Sequence, residues 1–161
     1  QVEKTIEALK DLEDVQIISF FSNTDAGGKK IIESISKEEK FIKIPNMQSG
    51  DFLSLMSYSS LMIGNSSAGI REAPSFKLPV INIGSRQNGR LRAENVIDVD
   101  HDVLKIKEAI DKCLNDDSFL LSLKNIENPY GDGTAAIKIV DVLEKVELNS
   151  NLIQKEICYD L

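Results

Sequence analysis

The sequence predicts an α/β fold built on a doubly wound parallel sheet. Short β-rich runs alternate with amphipathic helical patterns along most of the chain, and strands separated by helices pair in parallel. With 161 residues, 42% of them apolar, the chain is long enough for one ordinary domain with one sizeable core. We therefore expect a single domain over residues 1–161, in which residues 149–161 form a C-terminal tail.

The elements follow one another in a regular order. Residues 2–12 carry apolar side chains at helical spacing, at Val2, Ile6 and Leu9. The β-rich run VQIISFF follows, and the alternation then repeats. The next predicted helices are GGKKIIESISKEE, GDFLSLMSYSS and AGIREAPSF, and the predicted strands are FIKIP, LMIG and PVINIG. Helical crossovers of this kind lead from one parallel strand to the next.

The C-terminal part continues with one short strand and then helices. RAENVIDV is the strand, and HDVLKIKEAIDKCL after it is a helix with one apolar face, made by Val103, Ile106, Ile110 and Leu114. GTAAIKIVDVLEKV is the last long helix. Residues 149–151, Asn-Ser-Asn, favour a turn before the tail.

Composition excludes several classes of protein. A formal net charge of −7 argues against a broad basic surface for nucleic acid. Charged residues interrupt every apolar run before the roughly 20 residues that a membrane span needs. Cys113 and Cys158 lack CxxC spacing, which favours reduced thiols and a cytoplasmic location. A helical pattern that starts at Gln1 suggests a chain cut from a longer one, so no leader would be visible.

Ligands of open α/β sheets bind where the carboxyl ends of the strands feed into helices. Polar, glycine-rich loops follow four of the predicted strands, and they are SNTDAGGK, PNMQSGDF, GNSSAGIRE and GSRQNGR. In GNSSAGIRE, Ser66 and Ser67 lie where a helix begins, and free N–H groups there suit an anion. Small residues such as Gly69 keep the approach to the backbone open. The alternative is an ordinary serine N-cap.

Charged residues near these loops fit a phosphate and a sugar. Glu72 lies five residues after Ser67, where it can accept hydrogen bonds from a ribose diol; the alternative is a first-turn acid that complements the helix dipole. Arg86, Arg90 and Arg92 follow a strand in an otherwise acidic chain, and arginine binds phosphate in a bidentate manner. Surface pairing with Glu94 or Asp98 is the alternative for Arg90 and Arg92.

The remaining candidates are weaker when read from the sequence alone. Asn23 and Lys29 belong to a loop that equally fits a plain turn and a solvated face. Phe52 either stacks on a base or lies in the core. His101 reads as a surface or capping residue, because no metal-ligand spacing or nucleophile accompanies it. We therefore expect no metal and no other cofactor, and no catalytic residue within this chain.

The run IGNSSAGIREAPSFKLPVINIGSRQNGRLRAENVIDV resembles the C-terminal domain of the UDP-N-acetylglucosamine 2-epimerases, especially the hydrolysing branch of the sialic and legionaminic acid pathways. SNTDAGGK and NPYGDGTAAIKIV agree with it, so the resemblance covers nearly the whole chain. It implies the Rossmann-like C-terminal half of a two-domain GT-B enzyme that binds UDP or UDP-N-acetylglucosamine in its cleft.

The resemblance also implies roles for single residues. Ser66 and Ser67 would hold the diphosphate, Glu72 the ribose hydroxyls, and Arg86 would lie at the nucleotide. In the same way, Asn23 and Lys29 would line the cleft, and the Met47 backbone and Phe52 would meet the uracil.

The implied reaction eliminates UDP across C1 and C2 of the sugar and then adds water with inverted configuration at C2. The acid and base groups are implied to come from an N-terminal domain of the same protein and from a histidine upstream of Gln1. His101 does not match that histidine, so we expect this fragment to be inactive alone. The full-length protein is implied to be a homo-oligomer.

Two other readings of function remain open from the sequence. One is the donor-binding half of a GT-B glycosyltransferase, and the other is a non-catalytic nucleotide-sugar-binding module. The product formed by the full-length protein would distinguish the first reading, and acid and base groups upstream of Gln1 would distinguish the second.

Overall fold

The structure, a computed structural model, describes residues 2–21 and 27–154, without the side chain of Asn151. The chain divides into two compact units, residues 1–129 and residues 130–161. The first unit contains the strands and the predicted ligand-binding loops, and the second unit contains the last helices.

All five predicted strands are present in the first unit, and each is shorter than the run that predicted it. They are β1 (Ile17–Phe20), β2 (Phe41–Ile44), β3 (Met62–Gly64), β4 (Val80–Ile83) and β5 (Val96–Val99). The paired strands are parallel, which confirms the predicted class. Within the described residues they form two ladders where the sequence predicted one sheet. β1 pairs with β2, and β4 lies between β3 and β5.

The helices of the first unit are α1 (Val2–Lys10), α2 (Gly28–Ser36), α3 (Ser49–Tyr58), α4 (Ala68–Arg71), α5 (Val103–Asn115) and α6 (Asp117–Leu123). The prediction of one helix over AGIREAPSF was wrong. α4 is a single turn, and a 3-10 helix at Ala73–Phe76 follows it. Pro74 explains the break, because proline has no N–H to donate and its ring clashes with the carbonyl four residues earlier.

Strand β4 supplies core side chains to both faces of its ladder. Its four residues are all buried, and successive side chains of a strand point to opposite faces. Ile81 packs in a cluster with Ile106 of α5, whereas Val80 packs in a cluster with Met56 of α3. Helices therefore cover both faces, which confirms the doubly wound arrangement.

Helix α1 packs against both ladders. Ala8 belongs to the cluster of β4 and α5, and Ile6 belongs to the cluster of α2 and β2. Leu9 contacts both clusters. A second link joins Phe20, at the end of β1, to Phe52 of α3, whose ring centroid lies 5.3 Å away in an edge-to-face arrangement. α1 and this aromatic pair hold the two ladders together.

The unit of residues 130–161 contains α7 (Ala135–Lys145) and α8 (Ser150–Ile153). Asp132 precedes α7, and its carboxylate accepts hydrogen bonds from the N–H and the hydroxyl of Thr134. None of the residues of α7 is buried. The turn predicted at residues 149–151 is replaced in part by α8, which begins at Ser150.

No helix in the described part of the chain combines the length and the apolar character that crossing a membrane requires.

Candidate functional site

The loop after β3 begins with a backbone conformation that suits glycine. Gly64 ends β3 with a φ of +142°, which side chains with a Cβ rarely adopt. Asn65, Ser66 and Ser67 then connect β3 to α4. Polar residues therefore follow the carboxyl end of a strand, as the sequence predicted.

Ser66 and Ser67 retain unused hydrogen-bonding groups. The Ser66 hydroxyl accepts a long bond of 3.3 Å from the Ala68 N–H, and the Ser66 carbonyl accepts from the Gly69 N–H. Ser67 directly precedes α4, yet its side chain makes no capping bond. Nothing in residues 2–21 and 27–154 pairs with the backbone N–H groups of Ser66 and Ser67. The capping interpretation therefore accounts for Ser66 in part and does not account for Ser67.

The single turn of α4 changes the physical basis of an anion site at this position. A helix of four residues sums few peptide dipoles, so the N–H and hydroxyl groups themselves would have to hold an anion. Gly69 also has a packing role, while its expected part in keeping the approach to the backbone open stays a prediction. It is buried, and a Cβ added there would lie 2.7 Å from Val80 Cγ1. Glycine at this position lets α4 pack closely on β4.

Glu72 has a buried oxygen without a partner. The residue caps the C-terminal end of α4, so its interpretation as a first-turn acid was wrong, and the dipole of α4 does not favour its charge. Glu72 Oε2 is buried and has no hydrogen-bond partner within the described residues. An unpaired buried carboxylate oxygen is costly. A hydroxyl donor from a ligand would relieve that cost.

Gln87 joins the loop after β4 to the loop after β3. The residue is 2% exposed, and its Nε2 donates a hydrogen bond of 2.6 Å to the carbonyl of Asn65. Arg86 precedes Gln87 and is exposed. The residue before Ser66 and the residue after Arg86 are thus in direct contact, which brings two of the predicted ligand loops together.

The other two arginines of this loop differ in their surroundings. Arg92 donates to both oxygens of Asp98 and to the carbonyl of Gln87, so pairing with Asp98 is correct for Arg92. Behind the pair, Asn82 Nδ2 donates to Asp98 Oδ1 over 2.6 Å. Arg90 is exposed.

The predicted cleft residues are placed as follows. Phe52 is half-buried and packs against Phe20 and the cluster that contains Met56, as the core interpretation expects. The Met47 N–H donates to the side chain of Asn46 over 2.8 Å. Lys29 is exposed in the first turn of α2. Asn23 lies outside the described residues.

His101 is not the surface residue that the sequence suggested. It is half-buried, and a Cβ added at Gly84 would lie 2.6 Å from its ring. The φ of Gly84 is +79°, so the strand end and the imidazole fit only with glycine there. The capping residue of α5 is Asp102, whose side chain accepts from the Lys105 N–H. No cluster of metal-ligating side chains occurs in the part of the chain that the structure describes.

A groove of about 510 Å³ lies between the ends of β4 and β5 and helix α5. Lys105 and Lys112 line it together with Asp98, Asp100 and Glu108. It includes none of the predicted binding residues. We place the candidate site at the β3 and β4 loops instead, because that is where buried or unpaired polar groups accumulate.

Sequence reasoning missed Gln87 and Asn82. Both are 2% exposed, and amide side chains are usually found on the surface. The position of Gln87 in a polar loop gave no sign of burial. Asn82, within the apolar strand VINI, did offer a signal, because a polar residue in a buried strand needs a hydrogen-bond partner.

Comparison with known proteins gives a consistent result. The sequence profile of the family described as UDP-N-acetylglucosamine 2-epimerase matches residues 1–144. The hydrolysing UDP-N,N'-diacetylbacillosamine 2-epimerase of Legionella pneumophila is 37% identical over 147 residues, which are 88% of this chain and 37% of that protein. Polysialic acid biosynthesis protein P7 of Escherichia coli is 33% identical over 168 residues, covering 100% of this chain and 42% of that protein.

Solved structures share the fold. The Neisseria meningitidis UDP-GlcNAc 2-epimerase bound to UDP-GlcNAc superposes with a TM-score of 0.68 at 24% identity, over 90% of this chain and 40% of the other. The chain thus spans about two fifths of the length of the relatives that it matches.

Proposed function

This chain belongs to the UDP-N-acetylglucosamine 2-epimerase family, and on that premise we propose that it is the UDP-binding domain of a hydrolysing 2-epimerase. The substrate is UDP-N-acetylglucosamine or a close relative, and the products are UDP and the free 2-epimeric sugar. A second domain of the same protein supplies the other wall of the cleft, and the full-length protein forms a homo-oligomer.

One observation carries the proposal. Unpaired groups that suit a nucleoside diphosphate lie within the eight residues that follow β3, from Asn65 to Glu72. The N–H groups of Ser66 and Ser67 are donors without a protein partner in the described residues, and Glu72 Oε2 is a buried acceptor without one. Donors suit phosphate oxygens, and an acceptor suits ribose hydroxyls.

The roles of the residues follow from this chemistry. Elimination breaks the bond between C1 of the sugar and the diphosphate oxygen, while the proton on C2 is removed. UDP leaves as an anion, so donors at Ser66 and Ser67 and the cation of Arg86 stabilise the charge that develops. Gly69 shapes the loop through its packing. We assign Asn23, Lys29, the Met47 backbone and Phe52 to the wall that faces the sugar and the base.

Proton transfer needs groups that this domain does not bring to the loop. Removal of the C2 proton requires a positioned base. The later addition of water, which places a hydroxyl on C1 and a proton on the opposite face of C2, requires a positioned acid and base. We assign these to residues outside the chain. The 161-residue chain alone is therefore expected to release no UDP from UDP-N-acetylglucosamine.

Calorimetric titration of the intact protein with UDP, uridine and inorganic phosphate tests the assignment. UDP should bind more tightly than uridine, and Ser67→Ala should weaken UDP binding about threefold to tenfold through the lost hydroxyl contact. Ser122→Ala is the matched control, because among the described residues that exposed hydroxyl bonds only to the Phe119 carbonyl in α6. Equal affinity for UDP and uridine would rule out the diphosphate site.

A product assay separates the reaction from glycosyl transfer. The intact protein should release free UDP and a free reducing sugar with inverted C2, without any acceptor. Release that depends on an added acceptor would instead indicate a glycosyltransferase, and UDP binding without release would indicate a binding module.

A further inference from the structure

A line of side-chain hydrogen bonds runs from the interior of the β3–β4–β5 ladder to the serine loop. Asn82 of β4 donates to Asp98 of β5, Asp98 accepts from Arg92, Arg92 donates to the Gln87 carbonyl, and Gln87 donates to the Asn65 carbonyl. The proposed function uses none of these contacts.

Gln87 is the member of this line that touches the loop. The bond from its Nε2 to the Asn65 carbonyl is 2.6 Å long, and Asn65 is bonded through its carbonyl carbon to the nitrogen of Ser66. A peptide group is planar, so fixing the Asn65 carbonyl also fixes the direction of the Ser66 N–H. The orientation of one unpaired donor is thereby set by Gln87.

Arg92 holds Gln87 in place. Its side chain is 21% exposed, and it donates over 2.5 Å to the Gln87 carbonyl while pairing with Asp98. A guanidinium can do both because its five donors form a rigid planar fork. Gln87 is therefore held at its backbone by Arg92, and it holds Asn65 with its side chain.

We infer that Gln87 and Arg92 are positioning residues that orient the Ser66–Ser67 loop toward the diphosphate. This inference rests on the proposed function. Gln87 also follows Arg86, so the same bond fixes the loop on which Arg86 lies. Neither residue needs to touch the ligand. They hold the loop in an ordered conformation before the ligand binds, which lowers the entropy cost of binding.

A buried amide that only stabilises the fold should affect stability and leave diphosphate binding unchanged. Asn95 offers the comparison, because it is also a fully buried amide and its Nδ2 donates to the Leu78 carbonyl over 2.8 Å. That bond lies before β4 and β5 begin, at the opposite end of the ladder from the serine loop. Loss of the Asn95 bond removes a buried hydrogen bond without releasing the loop.

The ratio of the dissociation constants for uridine and UDP in the intact protein measures what the diphosphate contributes. Gln87→Met keeps the length of the side chain and removes its donor, and it should lower this ratio about tenfold while uridine binding changes less than about twofold. Asp98→Asn replaces the ion pair with Arg92 by a weaker neutral hydrogen bond, and the Asp98 side chain is half-exposed. This variant should lower the ratio about threefold. Asn95→Leu should lower the melting temperature and leave the ratio at the wild-type value.

The outcomes separate the two hypotheses. Suppose that the wild type binds UDP tightly and that Gln87→Met and Asp98→Asn have the same ratio of dissociation constants as the wild type. That result would overturn the positioning role and leave the proposed function in place. An equal loss of UDP and uridine binding would also overturn it, since that is the result of a general structural defect. If Gln87→Met does not fold, Asp98→Asn decides. A wild-type ratio of one would remove the proposed function and this inference with it.

Discussion

The side-chain amide of Gln87 lies 2.6 Å from the backbone carbonyl of Asn65 and donates to it. This contact ties the loop after β4 to the loop after β3, and those two strands are neighbours in the sheet. Adjacent strand ends can therefore act on one ligand from two loops. We therefore expect the serines and Arg86 to act on the same ligand, although about twenty residues separate them in the sequence.

Glu72→Gln in the intact protein should weaken UDP binding about tenfold, because an amide is a poorer acceptor for ribose hydroxyls than a carboxylate. The affinity for 2',3'-dideoxy-UDP, which lacks those hydroxyls, should stay within about twofold. Calorimetry with both ligands checks this, and Glu94→Gln, an exposed acid, serves as control. Parallel losses for both ligands would contradict the ribose contact.

Gly69→Ala should destabilise the protein by about 1–3 kcal/mol, because the new Cβ would lie 2.7 Å from Val80 Cγ1 and the packing of α4 on β4 must shift. Gly50→Ala is the matched change in a helix. A Cβ there meets nothing within 4 Å, and the substitution should stabilise by up to about 1 kcal/mol. Urea unfolding monitored by circular dichroism measures both. Equal effects would contradict the packing argument.

Cys113 should resist thiol reagents in the folded protein. The side chain is fully buried, and burial raises the pKa of its thiol to about 11. At pH 8 the reactive thiolate is therefore scarce. In the 161-residue chain, which has two cysteines, the Cys158→Ser variant leaves Cys113 as the one thiol. The reaction of Cys113 with a disulfide reagent should accelerate sharply in unfolding concentrations of urea. Fast reaction without urea would contradict this burial.

The stabilisation that Asp132 gives to the start of α7 should depend on pH in the acid range. Hydrogen bonds from the hydroxyl and N–H of Thr134 lower the pKa of the Asp132 carboxyl to about 2. Because the folded pKa lies below the usual value, the stabilisation is complete above about pH 4 and is lost as pH falls toward 2. Carboxyl carbon NMR shifts of Asp132 follow the titration. In Thr134→Val, which keeps the shape but removes the hydroxyl, the pKa should return toward its usual value.

Much of the fold could be predicted because strands have a distinct composition, rich in β-branched and aromatic residues. VINI and FIKI are short β-rich runs between helical patterns, and both form strands within one residue of the predicted ends. The break between α4 and the 3-10 helix could also have been predicted from the sequence, because Pro74 follows and proline interrupts helices.

The candidate site was less predictable, since its residues depend on contacts that are distant in the chain. Gln87 becomes a buried donor only because Asn65 lies beside it, 22 positions earlier. His101 becomes half-buried only because Gly84 leaves room for the ring. Local sequence patterns predict turns and charged segments, but they do not predict which two loops will be in contact in the fold.

The separation of the two ladders has a topological consequence. α1 and α2 share one cluster on one face, and α2 leads from β1 to its neighbour β2. Crossovers between parallel strands are right-handed, so successive crossovers on one face advance in the same direction. A parallel strand that leads into α1 would therefore lie on the side of β1 away from β2.

The outer edges of β1 and β3 each direct backbone amides away from their own ladder. The Phe21 N–H donates toward β2, so by alternation Ile18 and Phe20 direct their amides to the other side. The Met62 N–H donates to Pro79 next to β4, so the amide of Ile63 points away from β4. β1 and β3 each lie at an edge of their ladder, so each of these edges can accept one more parallel strand.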